Sequence, residues 1–442
     1  MDIKALGDIL RQAGVVGAGG AGFPSYAKLN SAADTVILNC AECEPLLKLH
    51  RQVLEYHAEE IVFALDEVAK AMGAENVIIA IKPHYKQAIK AAKAAMEGKK
   101  GFSIGLLPEI YPAGDEVITI YETTGRVVPA GQLPISVGCV VYNVETMLNA
   151  ANAIREAKGV TFKYVTIAGE VKNPCTLKVP LGMTYGELVE LAGGATIENP
   201  VIFAGGPMTG FISSKNDVVT KTSNAILVLP ESQYIIQKRM SPVTIDLKRA
   251  MSACCNCMMC TDLCSRNLLG HPIDPAKFMR NITGGVTKDT EPYINSFFCS
   301  SCGLCELYSC FQNLNPRTLL AQTKDGLRKA GITPPKDIET AQVHKHREFR
   351  TVPISKLVSR LGLKKYDVEC PIDDSLVKAD KVKIMLSQSI GAPSVACVKK
   401  GDAVKVGDVV GEAPEKLGTA VHASIDGVVM EVSDKYVIIA AK

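Results

Sequence analysis

With 442 residues and a net charge of +3, the chain has room for roughly three or four domains of about 100–200 residues each. It is too nearly neutral to present the basic face of a nucleic-acid binder, and with 5% aromatic residues and no tryptophan it has little from which to build base-stacking platforms. Its 47% apolar and 21% charged residues are those of a globular protein rather than a disordered one, and no stretch reaches the roughly 18 uncharged apolar residues of a membrane span.

Residues 1–158 alternate helical and strand patterns. LGDILRQAGVV is amphipathic, TVILNC and NVIIAI are short β-rich runs, and EYHAEEIVFALDEVAKAM reads as a helix between them. The alternation predicts an α/β layer with a largely parallel sheet. Ile3, Leu6, Ile9 and Leu10 share one face of the first helix, which reads as core-facing rather than as a shell-targeting peptide. The N-terminus carries charge throughout and lacks the apolar core of a signal peptide, which points to the cytosol.

From 159 to 235 the runs shorten (FKYVTIAGEV, TLKVP, YGELVELAGG, NAILVLP), predicting a small α+β module. Residues 240–325 hold most of the cysteines amid helical patterning. Residues 326–375 are rich in Lys, Arg and Pro and read as a linker. From 376 to 442, short strands are punctuated by Gly-Asp, Gly-Glu and Asp-Gly turns, which predicts a small all-β barrel or sandwich.

Nine of the fifteen cysteines lie between Cys254 and Cys310. Cytosolic thiols are kept reduced, so such clustering points to metal. The first run is Cys254-x2-Cys257-x2-Cys260-x3-Cys264 and the second Cys299-x2-Cys302-x2-Cys305-x4-Cys310. Three thiolates at x2 spacing wrap one iron–sulfur cubane, and in two-cluster ferredoxins the fourth cysteine of each run ligates the other cluster. That pattern assigns Cys254, Cys257, Cys260 and Cys310 to one [4Fe–4S] cluster, and Cys299, Cys302, Cys305 and Cys264 to the other. Ser265 and Phe311 stand where the ferredoxin consensus has proline, and the second run is one residue longer than that consensus. Zinc held by four thiolates, the alternative, usually comes as separated C-x2-C pairs. Cys255 is out of register and reads as a bystander.

GVVGAGGAGFPSYAK places Gly17, Gly19, Gly20 and Gly22 after the first helix. Dense glycines let backbone N–H groups approach a phosphate, though a tight turn between helix and strand would also use them. Three later segments carry a resemblance: LNCAECEP (Asn39, Glu42, Glu44), YPAGDE (Tyr111, Gly114, Asp115, Glu116) and VVYNVETM (Asn143, Glu145, Thr146). In this order the set resembles the flavin- and NADH-binding subunit of respiratory complex I and, more closely, the C subunit of the Rnf electron-transport complex. The order of modules, with NLLGHPI after the first cysteine run and the barrel last, is similar to the cobalamin reductases of propanediol-utilisation microcompartments.

The resemblance implies a multidomain α/β and α+β protein. Its parts would be a Rossmann-like FMN/NADH domain, a β-grasp (SLBB) module, a helical two-[4Fe–4S] ferredoxin-like domain and a C-terminal lipoyl-like barrel-sandwich hybrid. It further implies FMN contacts from Gly17, Gly19, Gly20, Lys28, Asn39, Glu42, Tyr111, Gly114, Asp115, Asn143 and Thr146, and NADH contacts from Phe23, Glu44 and Glu116. Ala18 stands where the complex I protein has an arginine, so phosphate binding would rest more on backbone donors. Electrons would pass from NADH to FMN to the clusters and on to cobalamin or an electron-acceptor protein. An adenosyltransferase and shell proteins would be the partners in a bacterial microcompartment. The rival expectations are an Rnf-like component feeding another protein, or a non-enzymatic electron-transfer adaptor. Lys416 occupies roughly the place of a lipoyl lysine, but its neighbours Glu415 and Leu417 are not those a lipoyl or biotinyl ligase expects. His271, in a Leu-Leu-Gly-His-Pro turn, reads as locally packed rather than as a metal ligand.

Overall fold

The computed structural model describes residues 1–336, 338 and 341–442. Its first layer is set by apolar runs that bury both faces, as a helix-covered parallel sheet requires. Strands β1 (Thr35–Cys40), β2 (Asn76–Ile81), β3 (Phe102–Leu106), β4 (Ile110–Tyr111) and β5 (Cys139–Asn143) belong to this part of the chain. Four of them pair in parallel in the order β3-β2-β1-β5. Successive side chains point to opposite faces. Val36, Leu38, Ile79 and Tyr142 therefore meet the helices Ala58–Met72 and Val144–Glu156 on one side. Ile37, Ala80 and Val141 meet helix Glu116–Thr124 on the other. The first helix, Ile3–Gln12, buries Leu6 and Leu10 in the same core.

The chain runs outward from β1 to β2 and β3, then returns to place β5 on the other side of β1. Strand order thus reverses between β1 and β5, and ligands of open α/β sheets bind at the carboxyl ends of strands at such a point. Asn39 lies near the end of β1, with Glu42 and Glu44 in the loop that follows, and Asn143 ends β5.

Strands β6 (Phe162–Gly169), β7 (Cys175–Pro180), β8 (Val201–Ala204), β9 (Phe211–Ser213) and β10 (Ala225–Leu229) form the second sheet. Its single helix, Tyr185–Leu191, starts at a capping box in which Thr184 and Glu187 satisfy each other's backbone N–H groups. The stretch 326–375, read as a linker, does more than connect; its residues 337, 339 and 340 lie outside the described residues. Strand β11 (Val352–Pro353) pairs with β4, and β12 (Ile372–Leu376) extends the second sheet to the order β12-β7-β6-β10-β8-β9. The open edges of β4 and β7 supply backbone partners, while Val352, Leu357, Val358, Leu361, Leu363 and Tyr366 bury against Phe203 and Leu227. Those apolar positions are scattered among charges, so average composition conceals them.

Around the cysteines, helices Val243–Ala253, Pro275–Thr283 and Pro316–Lys329 share a core of Ala250, Phe278, Met279, Leu319 and Leu320. The C-terminal strands are β13 (Lys381–Met385), β14 (Val395–Ala396), β15 (Ala403–Val404), β16 (Val409–Glu412), β17 (Val421–His422), β18 (Gly427–Val432) and β19 (Tyr436–Ala440). They make two small sheets, β13-β19-β18-β15 and β14-β16-β17. Fully buried Lys221 donates to the carbonyls of Gly14 and Ala420, both at 2.8 Å, tying three modules together. The architecture is the expected multidomain α/β and α+β one. Among the described residues no helix is long and apolar enough to cross a membrane.

Candidate active site

The glycine loop is docked on the helix that follows β5. Ala18 N–H donates to Thr146 Oγ1 at 2.9 Å, and the Thr146 hydroxyl donates to the Val16 carbonyl at 3.2 Å. Gly17 N–H closes the loop on the Phe23 carbonyl at 2.9 Å. A Cβ on Gly19 would stand 2.3 Å from Asn143 Nδ2, so only glycine permits this approach. Asn143 itself caps its helix by accepting from Glu145 N–H at 3.0 Å and also meets His50 Nε2 at 3.0 Å.

Three modules enclose one cavity of about 660 Å³. From the first come Gly19, Gly20, Cys43, Glu44, Tyr111, Gly114 and Asp115; from the second, the Gly205–Gly210 turn, Phe211, Thr220, Thr222 and Ser223; from the cysteine region, Ser300, Ser301, Cys302 and Arg317. The volume suits a cofactor-sized ligand. Phe211 is 60% exposed, an uncommitted aromatic face at the site.

Of the fourteen sequence-predicted flavin and nicotinamide residues, Gly19, Gly20, Glu44, Tyr111, Gly114 and Asp115 line the cavity. The others sit behind this lining or beside it. Asn39 Nδ2 donates to the Gly114 carbonyl at 2.9 Å and holds the YPAGDE turn against β1. Buried Glu42 accepts from His50 N–H, and its carbonyl accepts from Lys82 Nζ at 3.0 Å. Lys28 pairs with Glu116 at 2.9 Å and donates to the Val141 carbonyl at 2.8 Å. Glu44 is held by the second module: it accepts from Met208 N–H at 2.9 Å, Thr209 N–H at 3.0 Å and the Thr209 hydroxyl at 2.5 Å. Burial nonetheless pushes its carboxyl above the ordinary value. A Cβ on Gly206 would collide with that carboxylate at 2.3 Å, which explains the double glycine of GGPMTG.

The thiols gather in two sets. Cys254, Cys257, Cys260 and Cys310 line one small cavity with Met258, Met279 and Leu314, and Cys255, read as a bystander, lines it too. Burial and then the thiols of Cys310, Cys257 and Cys254 push Cys260 up to about 12. In the other set, burial and then Cys264 and Cys299 push Cys302 up to about 12. Burial, with Cys299 adding to it, does the same to Cys264. Cys305 is raised well above its ordinary value by burial, then by Cys299 and Cys302, with a smaller effect from Cys260 of the first set. Cys310 thus lines the cavity of the first run, and Cys264 feels the thiol of Cys299 from the second.

Thiols so desolvated stay protonated unless a cation claims them, and cluster iron does so by binding thiolate. Backbone donors add support: Ser301 N–H to Cys299 Sγ and Leu314 N–H to Cys310 Sγ, both at 3.4 Å. Among the described residues no three His, Cys, Asp or Glu side chains converge closely enough to hold a single ion. The Cys254 set lines a small cavity, and triplets at x2 spacing are the register of cluster ligands, whereas zinc takes separated pairs. The donors present fit two clusters, and the glycine cradle with its cavity fits a flavin nucleotide.

Sequence reasoning missed Arg266, whose guanidinium grips Asp115 at 3.0 and 2.8 Å, and Arg317, Thr220, Thr222 and Ser223, which line the cavity. None stands in a motif. His271 is buried against the Val128 carbonyl at 3.0 Å. Lys416 is exposed between β16 and β17.

A cofactor-sized cavity walled in part by Cys302, with a second set of thiols around a cavity of its own, defines a flavo-iron–sulfur oxidoreductase. Family matches run along the chain in the same order: the Nuo51 FMN-binding domain over residues 10–152, the SLBB domain over 164–212, a 4Fe-4S dicluster domain over 253–315, and the RnfC barrel sandwich hybrid domain over 358–442. The chain is 39% identical over 441 residues to the cobalamin reductase PduS of Citrobacter freundii, covering 98% of this chain and 96% of that one. It is 39% identical over 428 residues to PduS of Salmonella typhimurium, covering 96% and 94%. The C component of the proton-translocating ferredoxin:NAD(+) oxidoreductase complex of Clostridium ljungdahlii is 34% identical over 275 residues, covering 61% and 57%. In fold the chain resembles an NAD+-reducing [NiFe]-hydrogenase in its H2-reduced state, with a TM-score of 0.50 at 20% identity over 77% of this chain and 65% of that one. The chain belongs to the PduS family.

Proposed function

We propose that this oxidoreductase takes a hydride from NADH and delivers single electrons to a corrinoid, cob(III)alamin or cob(II)alamin, within a bacterial microcompartment. The observation that carries the reading is the one cavity shared by the glycine loop, the SLBB turn and Cys302. FMN, when bound, supplies the exchange between electron pairs and single electrons that neither NADH nor a cluster performs alone. Gly19, Gly20, Tyr111, Gly114 and Asp115 contact it. Gly17, Lys28, Asn39, Glu42, Asn143 and Thr146 shape the loops that do so. Phe23, Glu44 and Glu116 flank the approach of the nicotinamide nucleotide. The clusters are held by Cys254, Cys257, Cys260 and Cys310, and by Cys264, Cys299, Cys302 and Cys305. The corrinoid as acceptor is supported by the near full-length similarity to PduS.

The test is anaerobic stopped-flow on protein reconstituted with iron, sulfide and FMN. NADH should bleach the flavin, and cob(III)alamin should reoxidise the reduced protein faster than a generic dye of equal potential. A bound flavin that NADH leaves oxidised would sink the donor assignment. Equal reoxidation by dye and corrinoid would sink the acceptor assignment and favour a protein acceptor.

A further inference from the structure

The clusters do not stand equivalently to the cavity. Cys302, with Ser300, Ser301 and Arg317, forms part of its wall, and among the described lining residues no thiol of the other set appears. Tyr111, which lines the same cavity and is almost wholly buried, donates its hydroxyl to the Cys302 carbonyl at 2.5 Å. Two further contacts brace this set. Arg266, two residues beyond Cys264, is held by Asp115 of the cavity wall, and Lys324 Nζ donates to the Cys299 carbonyl at 3.0 Å.

The Cys254 set lines a separate small cavity. Cys255 and Cys257 are exposed, and Met258 of its wall and Phe311, next to Cys310 in the chain, present apolar surface to solvent. The two sets adjoin where the helical turn Met259–Asp262 packs on the turn Cys305–Ser309. Electron-transfer rates fall exponentially with distance, so geometry of this kind imposes an order.

We infer that electrons reach the cluster of Cys264, Cys299, Cys302 and Cys305 first and leave from the cluster of Cys254, Cys257, Cys260 and Cys310. This rests on the flavin reading of the cavity. Each NADH is oxidised to NAD+ and a proton, and its two electrons leave singly, reducing two one-electron acceptors at the Cys254 face. Tyr111 is a positioning residue: its hydroxyl holds the Cys302 turn against the cavity.

The experiment compares the full chain with two double variants, Cys257→Ala/Cys260→Ala and Cys299→Ala/Cys302→Ala, each loaded with FMN and its remaining cluster. Freeze-quenched paramagnetic resonance follows that cluster after NADH and after dithionite. The first variant should keep rapid reduction of its cluster by NADH. The second should lose it while dithionite still reduces that cluster. The reverse pattern, or rapid reduction by NADH in both, overturns the order. If NADH fails on the wild type as well, the donor assignment has failed; photoreduction of the bound flavin then replaces NADH, and the same two patterns decide. Should the second variant fail to fold, Tyr111→Phe serves. With arrival normalised to the FMN bound per chain, it should slow electron arrival from the flavin and alter the resonance of the Cys302-side cluster alone. An unaltered resonance there, or a change confined to the other cluster, overturns the proposal.

Discussion

Asp115 accepts two hydrogen bonds from Arg266 while the same carboxylate caps helix Glu116–Thr124 through Val117 N–H at 3.0 Å. One residue thus orients a wall of the cavity and anchors the chain just beyond Cys264. The two side chains are only 8% and 19% exposed. Removing one partner of a buried pair leaves the other uncompensated, at a cost of about 3–5 kcal/mol, whereas apolar replacement of both is often nearly neutral. Arg266→Leu should therefore lower the denaturation midpoint, and adding Asp115→Leu should recover much of the loss. Additive losses in that cycle would show that the pair is not coupled.

Gly19→Ala should empty the flavin site without unfolding the chain. The new methyl would meet Asn143 Nδ2 at 2.3 Å and Cγ at 2.9 Å, so loop or cap must move. The expected result is a large fall in FMN bound per chain with iron and sulfide content unchanged. Full flavin occupancy would mean that the loop is not the cradle.

Lys163 and Glu145 form an ion pair buried to 1% and 0% side-chain exposure where β6 meets the helix of the NVET segment. Glu145 also accepts from Tyr164 N–H at 3.0 Å, and Lys163 donates to Asn224 Oδ1 at 2.8 Å. Lys163→Met should cost about 3–5 kcal/mol by stranding the carboxylate. Equilibrium denaturation of Lys163→Met and of Lys163→Met/Glu145→Leu checks this; the double variant should be the more stable of the two.

His422 gives the stability a pH dependence. Burial, then the charge of Lys221, holds its imidazole down at about 4 against an ordinary 6.5. The folded state therefore binds the proton less readily than the unfolded one. Stability is complete above pH 6.5, falls as the unfolded state takes up its proton, and levels off below about 4. At 1.36 kcal/mol per pH unit the loss is about 3 kcal/mol. His422→Leu should flatten the dependence of Tm on pH across that window; an unchanged slope would assign it to other groups.

How much of the molecule is legible in its sequence follows from the range of the interactions involved. The x2 cysteine triplets act within a few residues, and spacing alone places three ligands around one cluster. The alternation of apolar runs around TVILNC and NVIIAI likewise marks a parallel sheet, because burial on both faces leaves a continuous apolar run. The segments naming Asn39, Tyr111 and Asn143 carry the flavin domain through resemblance. The stretch 326–375 gives no such signal, because strand pairing is long-range: β12 is no strand until β7 offers an edge.

The chain's own order of residues carries the cofactor chemistry and the module plan: two cysteine triplets at x2 spacing, each with a fourth thiol close behind, a glycine loop, and the short turn-punctuated strands of a small β barrel or sandwich. Tertiary structure alone decided the connections. It brought Cys302 to the wall of the glycine cavity, gave Glu44 to the backbone of Met208 and Thr209, paired Lys28 with Glu116, and set Arg266 on Asp115 across 151 residues of sequence. Local spacing cannot encode such contacts. They exist only where burial has already brought distant elements within hydrogen-bond reach, and desolvation then makes each unpaired charge too costly to leave alone.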